Sequence, residues 1–307
     1  MTKIIQMRQV SKVTNGHEII SDLNMNVNQG EIYGFLGPNG AGKTTTMRMI
    51  ANLIQPTSGK IELFGQLLTP TSYDIRKRIG SLIEYPILYE NLTALANLEI
   101  HCEYMGFHDK KAIRDALELT GLTDTKGKLV KHFSIGMKQR LGLARAICTK
   151  PELLILDEPV NGLDPIGIQE QRELFRMLNR EYGITLFISS HILQEIEYLA
   201  DTIGVIQNGK LIKEVSMTQV RSQPSDYIEV VVTNSKKAVF VLENKMMITN
   251  FKVMDGRTIR IYQSDVTPVD VSRTLIENDI GLEALIKKEL SLEEFFLETI
   301  HRGDTHA

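Results

Sequence analysis

The sequence predicts an α/β domain organised around a parallel sheet, followed by a small α+β domain. Three observations carry this. A glycine-rich stretch at 37–44 stands between an apolar strand and a segment of helical period. Two short continuous apolar runs, 153–156 and 184–188, have the composition of strands buried on both faces. Past residue 226 the pattern alternates in the order βαββαβ.

Residues 1–30 read as an antiparallel ribbon. Leu23, Met25 and Val27 alternate with Asp22, Asn24, Asn26 and Asn28 at period two, giving one buried and one wet face. The stretch from Gly59 to Gly65, with Ile61 and Leu63, adds a further strand. Ile32, Tyr33, Phe35 and Leu36 form the strand before the glycine-rich loop, and Met47, Ile50, Ala51 and Ile54 fall at helical spacing after it. A helical arm is expected at about 86–148, in which Asp109 caps a helix carrying Ile113, Ala116 and Leu117 and Gly121 ends it. Asn208-Gly209, between Ile203-Gly204-Val205-Ile206 and Leu211-Ile212, predicts a hairpin.

The first domain is expected over 1–215, with a polar linker at 216–226 that contains Ser222-Gln223-Pro224-Ser225. A C-terminal accessory domain then covers 227–307. Its expected elements are strand 227–232, helix 236–245, strand 249–254, a turn at Asp255-Gly256, strand 258–262, helix 268–278 and strand 282–289, a ferredoxin-like order. Leu292, Phe295, Phe296 and Ile300 predict a final amphipathic helix packed on the body.

Of 307 residues, 42% are hydrophobic and 24% charged, a balance that supplies ample core. The formal net charge of −3 argues against nonspecific nucleic-acid binding, since no basic excess exists to displace counterions. Cys102 and Cys148 are the only cysteines and read as buried free thiols. No N-terminal signal is visible and no stretch approaches the ~18 apolar residues that span a bilayer, so a cytoplasmic location is expected.

The glycine-rich stretch carries the chemistry. Gly37-Pro38-Asn39-Gly40-Ala41-Gly42-Lys43-Thr44, continued by Thr45, lets backbone N–H groups surround a phosphate chain, because its glycines keep side chains out and accept positive φ. Lys43 supplies a point charge for the β- and γ-phosphates and the Thr44 hydroxyl a ligand for Mg²⁺. The helix that follows points its N-terminus at the anion. A nucleoside triphosphate with Mg²⁺ is the expected ligand, in a P-loop nucleoside-triphosphatase fold.

Four further motifs follow in order, and with them residues 1 to about 215 resemble the ATP-binding subunit of ATP-binding-cassette (ABC) transporters, which implies that the nucleotide is ATP. Leu153 to Glu158 resembles the family's Walker B strand, which implies that Asp157 holds Mg²⁺ through water and Glu158 orients the attacking water. Pro159 and Asn161-Gly162-Leu163-Asp164 resemble the loop that follows it. Phe133-Ser134-Ile135-Gly136-Met137-Lys138-Gln139-Arg140 resembles the family's signature sequence, departing from it at Ile135 and Met137. There Ser134 and the Gly136 N–H, at the start of a helix, are expected to form a second anion site. In the family this helix meets the phosphate loop of another copy, so the resemblance implies a head-to-tail dimer enclosing two ATP molecules. His191, after Ser189-Ser190, matches the switch histidine that touches the γ-phosphate.

Two departures narrow the resemblance. Glu84, in Ile79-Gly80-Ser81-Leu82-Ile83-Glu84-Tyr85-Pro86, stands where the family has a metal-approaching glutamine, and Thr14 where it has an adenine-stacking ring. With Gly136-Met137-Lys138-Gln139-Arg140, the Glu84 substitution resembles the subfamily that exports bacitracin and lantibiotic peptides for self-protection, and the tail Ser291-Leu292-Glu293-Glu294-Phe295-Phe296 resembles the tails of that group. The resemblance implies an ATPase, peripheral at the inner face of the membrane, that drives a separate permease through the 84–106 region. Export of another drug or lipid, and a soluble cassette ATPase, stand as alternatives.

Overall fold

The computed structural model describes residues 2–125, 127–222, 226–263 and 265–289, and divides into two compact units, Met1–Met217 and Thr218–Ala307. The final helix expected near 292–300 lies outside the described residues.

The first unit opens with β1 (Lys3–Thr14) and β2 (His17–Asn28), an antiparallel pair. Then come β3 (Ile32–Leu36), α1 (Lys43–Ile50), β4 (Ser58–Leu63), β5 (Gln66–Leu67), α2 (Tyr73–Lys77) and β6 (Ile79–Leu82). β1 pairs on its other side with β4, making a four-stranded antiparallel sheet of order β2-β1-β4-β5. The alternation at 23–28 does as expected: Leu23, Met25 and Val27 are buried in one cluster with Met47, Met49 and Ile50. α1 is shorter than the periodicity predicts. It ends at Ile50 because Asn52 turns to φ 57, leaving Ile54 beyond the helix, partly buried against the same core.

The arm is formed by α3 (Ala94–Met105), α4 (Lys110–Leu119) and α5 (Ile135–Ile147). Asp109 caps α4 by accepting from the N–H groups of Lys111 and Ala112, and Gly121 follows the helix at φ 66. Thr93 caps α3, and the buried Asn97 fixes the entry loop by bonding both the N–H and the carbonyl of Tyr89. Cys102 and Cys148 are buried free thiols with Sγ atoms 3.5 Å apart, and burial pushes both upward from the usual thiol range.

β7 (Leu153–Asp157), α6 (Pro165–Arg180), β8 (Thr185–Ser190), α7 (Leu193–Glu197), β9 (Thr202–Gln207) and β10 (Lys210–Ser216) complete the unit. The main sheet has the order β10-β9-β3-β8-β7-β6. It is parallel except for the β9–β10 hairpin, whose turn residues Asn208 and Gly209 both take positive φ, 48 and 76. β7 and β8 are buried along their whole length, as continuous apolar runs between two covering layers must be. Phe187 stacks between Tyr33 and Phe35 at centroid distances of 5.4 and 5.3 Å.

Where the sequence reads as a linker, the chain first forms α8 (Met217–Ser222), anchored by the buried Met217. The second unit contains β11 (Asp226–Val232), α9 (Ser235–Met246), β12 (Phe251–Val253), β13 (Thr258–Ile261), α10 (Pro268–Glu277) and β14 (Leu282–Glu289). Its sheet order, β12-β13-β11-β14, is antiparallel throughout, the ferredoxin-like arrangement. Val230, Val232, Ile259 and Ile261 pack there with Ala238 and Leu242 of α9 and Val271 and Leu275 of α10.

Candidate nucleotide site

The strand order decides which side chains meet. β8 lies between β3, which feeds the glycine-rich loop, and β7, which ends at Asp157. Its register places Ser189 opposite both Phe35 and Asp157. The carboxyl ends of three parallel strands thus converge beside the N-terminus of α1, the position at which α/β sheets bind ligands.

The loop between β3 and α1 needs its glycines for close packing. Gly42 takes φ 105 and a Cβ there would stand 2.4 Å from Ile20 Cδ1, while a Cβ on Gly37 would stand 2.4 Å from the Ile206 carbonyl oxygen. Lys43 is buried and arches over the loop, its Nζ donating to the carbonyl of Gly37 at 2.6 Å and of Pro38 at 3.3 Å. Pro38, Asn39, Gly40 and Ala41 form the body of the loop, and Thr45 follows in the first turn of α1.

Next to the loop, Thr44 Oγ1 donates to Asp157 Oδ2 at 2.7 Å, and Ser189 Oγ donates to Asp157 Oδ1 at 2.6 Å. A hydroxyl and a carboxylate in contact are a hard oxygen donor set. Mg²⁺ at nucleotide sites takes one or two such groups and completes its shell with phosphates and water.

Glu158 follows at φ 48, a left-handed conformation that a non-glycine residue adopts at some cost and that turns its carboxylate back toward the loop. Its N–H donates to Ser189 Oγ at 2.9 Å. One carboxylate oxygen lies 3.3 Å from Lys43 Nζ and the other 2.7 Å from His191 Nδ1. A half-buried carboxylate between a lysine, a histidine and the metal-type pair can accept a proton from, or align, a water attacking the terminal phosphate. Sequence reasoning passed over Ser189, which holds both acids; only its place before His191 pointed to it.

Behind His191, the buried Glu195 accepts from Ser190 Oγ at 2.8 Å, and Ser190 Oγ also accepts from the Ile192 N–H. Burial raises the Glu195 carboxyl, with a further rise from the nearby Glu158 charge.

A cleft of about 570 Å³ opens from these groups, lined by Thr44, Asp157, Glu158, Pro159 and Asn161 and, on the arm side, by Glu84, Tyr85, Pro86, Ile87 and Gln139. Glu84 is therefore at the site's rim, but its carboxylate is bonded to Arg48, at 2.6 Å, and not to Thr44 or Asp157. Ser134 and Gly136 do not line this cleft. Ser134 Oγ accepts from the Met137 N–H and caps its own helix, with Ile135 beside it 66% exposed. Thr14 is exposed at the end of β1, and the ring of Tyr33 cannot replace a stacking platform because it is wholly buried, its hydroxyl on Glu214 at 2.8 Å.

A family model for ABC transporters matches residues 20–161. The chain is 55% identical to the uncharacterized ABC transporter ATP-binding protein YcbN of Bacillus subtilis (strain 168), over all of both chains. It is 46% identical to the bacitracin transport ATP-binding protein BcrA of Bacillus licheniformis, over 99% of each. Among solved structures, the ATP-binding subunit of an ABC transporter is 28% identical with a TM-score of 0.64, over 72% of this chain and 92% of that one.

Proposed function

The chain belongs to the ATP-binding subunits of ABC transporters, and from that premise we propose that it powers a membrane permease that exports a peptide antibiotic of the bacitracin or lantibiotic kind. Membership makes it an ATPase that works with a permease. The cargo reading rests on similarity to BcrA along nearly the whole chain, second unit included, with Glu84 at the rim of the cleft.

In this reading Gly37 to Thr45 bind the phosphates, Thr44 and Asp157 hold Mg²⁺, Glu158 aligns the attacking water and His191 holds Glu158. Mg²⁺ supplies charge neutralisation at the transferred phosphoryl group. Ser134 and Gly136, which have no place in this chain's own cleft, serve a second copy arranged head to tail. The subunit works at the cytoplasmic face of the membrane; no helix among the described residues is long and apolar enough to cross one. Ile87 and Tyr104, exposed by 89 and 80%, line a groove of about 330 Å³ formed in part by α3, and Tyr85, 79% exposed, lines the neighbouring cleft; this surface receives the permease.

The test is peptide challenge of a sensitive host carrying the chain with its permease. Wild type is expected to protect against bacitracin or a lantibiotic, and Lys43→Ala, at equal protein level, to abolish protection. Protection against an unrelated drug alone would favour the broader exporter.

A further inference from the structure

The rim of the cleft carries a charge relationship that the phosphate site does not use. Glu84 follows β6 at φ 61, again in the left-handed region, and its Oε2 accepts from an Nη of Arg48 at 2.6 Å. Arg48 belongs to the last turn of α1, the helix that begins at Lys43. The pair therefore joins the phosphate-binding helix to the loop that leads into the arm.

Three carboxylates, Glu84, Asp157 and Glu158, surround a space that must admit a polyphosphate. Each has its own answer. Asp157 accepts from two hydroxyls, Glu158 faces Lys43 and His191, and Glu84 has Arg48. The first two answers lie inside the phosphate machinery and the third lies outside it. The side chains of Arg48 and Glu84 are 39 and 57% exposed, so their attraction contributes little to folding stability. It acts instead on what reaches the cleft. An uncompensated carboxylate at its mouth repels a nucleotide carrying several negative charges, over a range set by salt.

We propose that Arg48 is a positioning residue for Glu84, neutralising and orienting its carboxylate at the cleft mouth so that the loop at 83–86 presents a neutral rim to the incoming polyphosphate. The proposal rests on the reading of the cleft as the Mg-ATP site. It makes the effect of Arg48 on nucleotide affinity conditional on the charge of residue 84 and on salt, with the thermal midpoint unchanged, which a role in folding stability would not do.

The experiment is a double-mutant cycle on the purified full-length chain, reading the Kd for Mg-ATP by competition with a fluorescent nucleotide at low and moderate ionic strength. Arg48→Gln is expected to raise Kd about five- to tenfold at low salt and less at higher salt, with the thermal midpoint unchanged. In the Glu84→Gln chain the same substitution is expected to change Kd less than twofold, and Arg48→Lys to retain most of the affinity. Equal losses in both backgrounds, or none in either, overturn the proposal. If Arg48→Gln fails to fold, the cycle is run with Arg48→Met, and the same independence from Glu84 overturns it. A wild-type chain without saturable Mg-ATP binding overturns the cleft reading itself, and the pair with it.

Discussion

Glu158 and His191 are in direct contact, Oε2 to Nδ1 at 2.7 Å, although 33 residues separate them. The contact exists because β7 and β8 are adjacent and parallel, so the residues just past their ends share one edge of the sheet. Glu158 reaches it by taking φ 48, and its other oxygen faces Lys43. The imidazole thus fixes the orientation of the carboxylate proposed to align the attacking water.

Removing that support is expected to affect chemistry more than binding. His191→Ala should lower kcat by about a hundredfold, the scale of an ångström-sized misplacement of a catalytic group, with the Kd for Mg-ATP within a few-fold of wild type. Steady-state ATPase assays with the permease present check this.

Ser189 bears on both acids at once, donating to Asp157 and accepting from the Glu158 N–H. Ser189→Ala leaves a buried Asp157 oxygen short of a partner, which costs on the order of 1–3 kcal/mol, and removes the acceptor of the part-buried Glu158 N–H. Urea unfolding should show a lowered midpoint with unchanged m-value, and ATP turnover should fall together with metal affinity.

Base selectivity should be weak. Thr14 offers no ring, and Tyr33 is wholly buried with its hydroxyl on Glu214. Without stacking, which contributes about 1–3 kcal/mol per base elsewhere, ATP and GTP are expected to bind within about tenfold of each other. Competition binding to the isolated chain is the measurement; a larger preference would require a ring from another subunit.

The arm should weaken in mild acid through His101. Burial, reinforced by the Arg145 charge, lowers this histidine to about 4, whereas in the unfolded chain it titrates near the ordinary histidine value of 6.5. Between those values the unfolded state binds the extra proton, so this residue's contribution to stability is present above about 6.5 and is lost as pH falls toward 4. Glu31 and Glu195, whose carboxyls burial raises, act in the opposite sense. The check is therefore the difference between wild type and His101→Gln in urea midpoint at pH 7 and pH 4.5, and the variant should lose less on acidification.

Much of this was legible because it is local. The glycine-rich loop between a strand and a helix, the Asn208-Gly209 turn, the Asp109 cap and the βαββαβ order of the second unit are each written in nearby residues, and the structure has them. Long-range pairing was not legible. Arg48 and Glu84 are 36 residues apart, and nothing in either neighbourhood says that α1 passes the end of β6. Ser189 reads as one more residue of a buried strand until β8 is known to lie between β3 and β7. The shortening of α1 and the start of α8 fall at element ends, where one positive φ at Asn52 or one buried Met217 decides against periodicity or polarity.

The central claim is that the cleft hydrolyses ATP with Glu158 acting on the attacking water. Glu158→Gln keeps the side chain's size and polarity while removing the base, so single-turnover hydrolysis with the permease present tests it most directly. The account predicts that Mg-ATP binds with near wild-type affinity, that hydrolysis slows by at least about a hundredfold, and that an ATP-bound dimer accumulates. Hydrolysis by Glu158→Gln at the wild-type rate would contradict it.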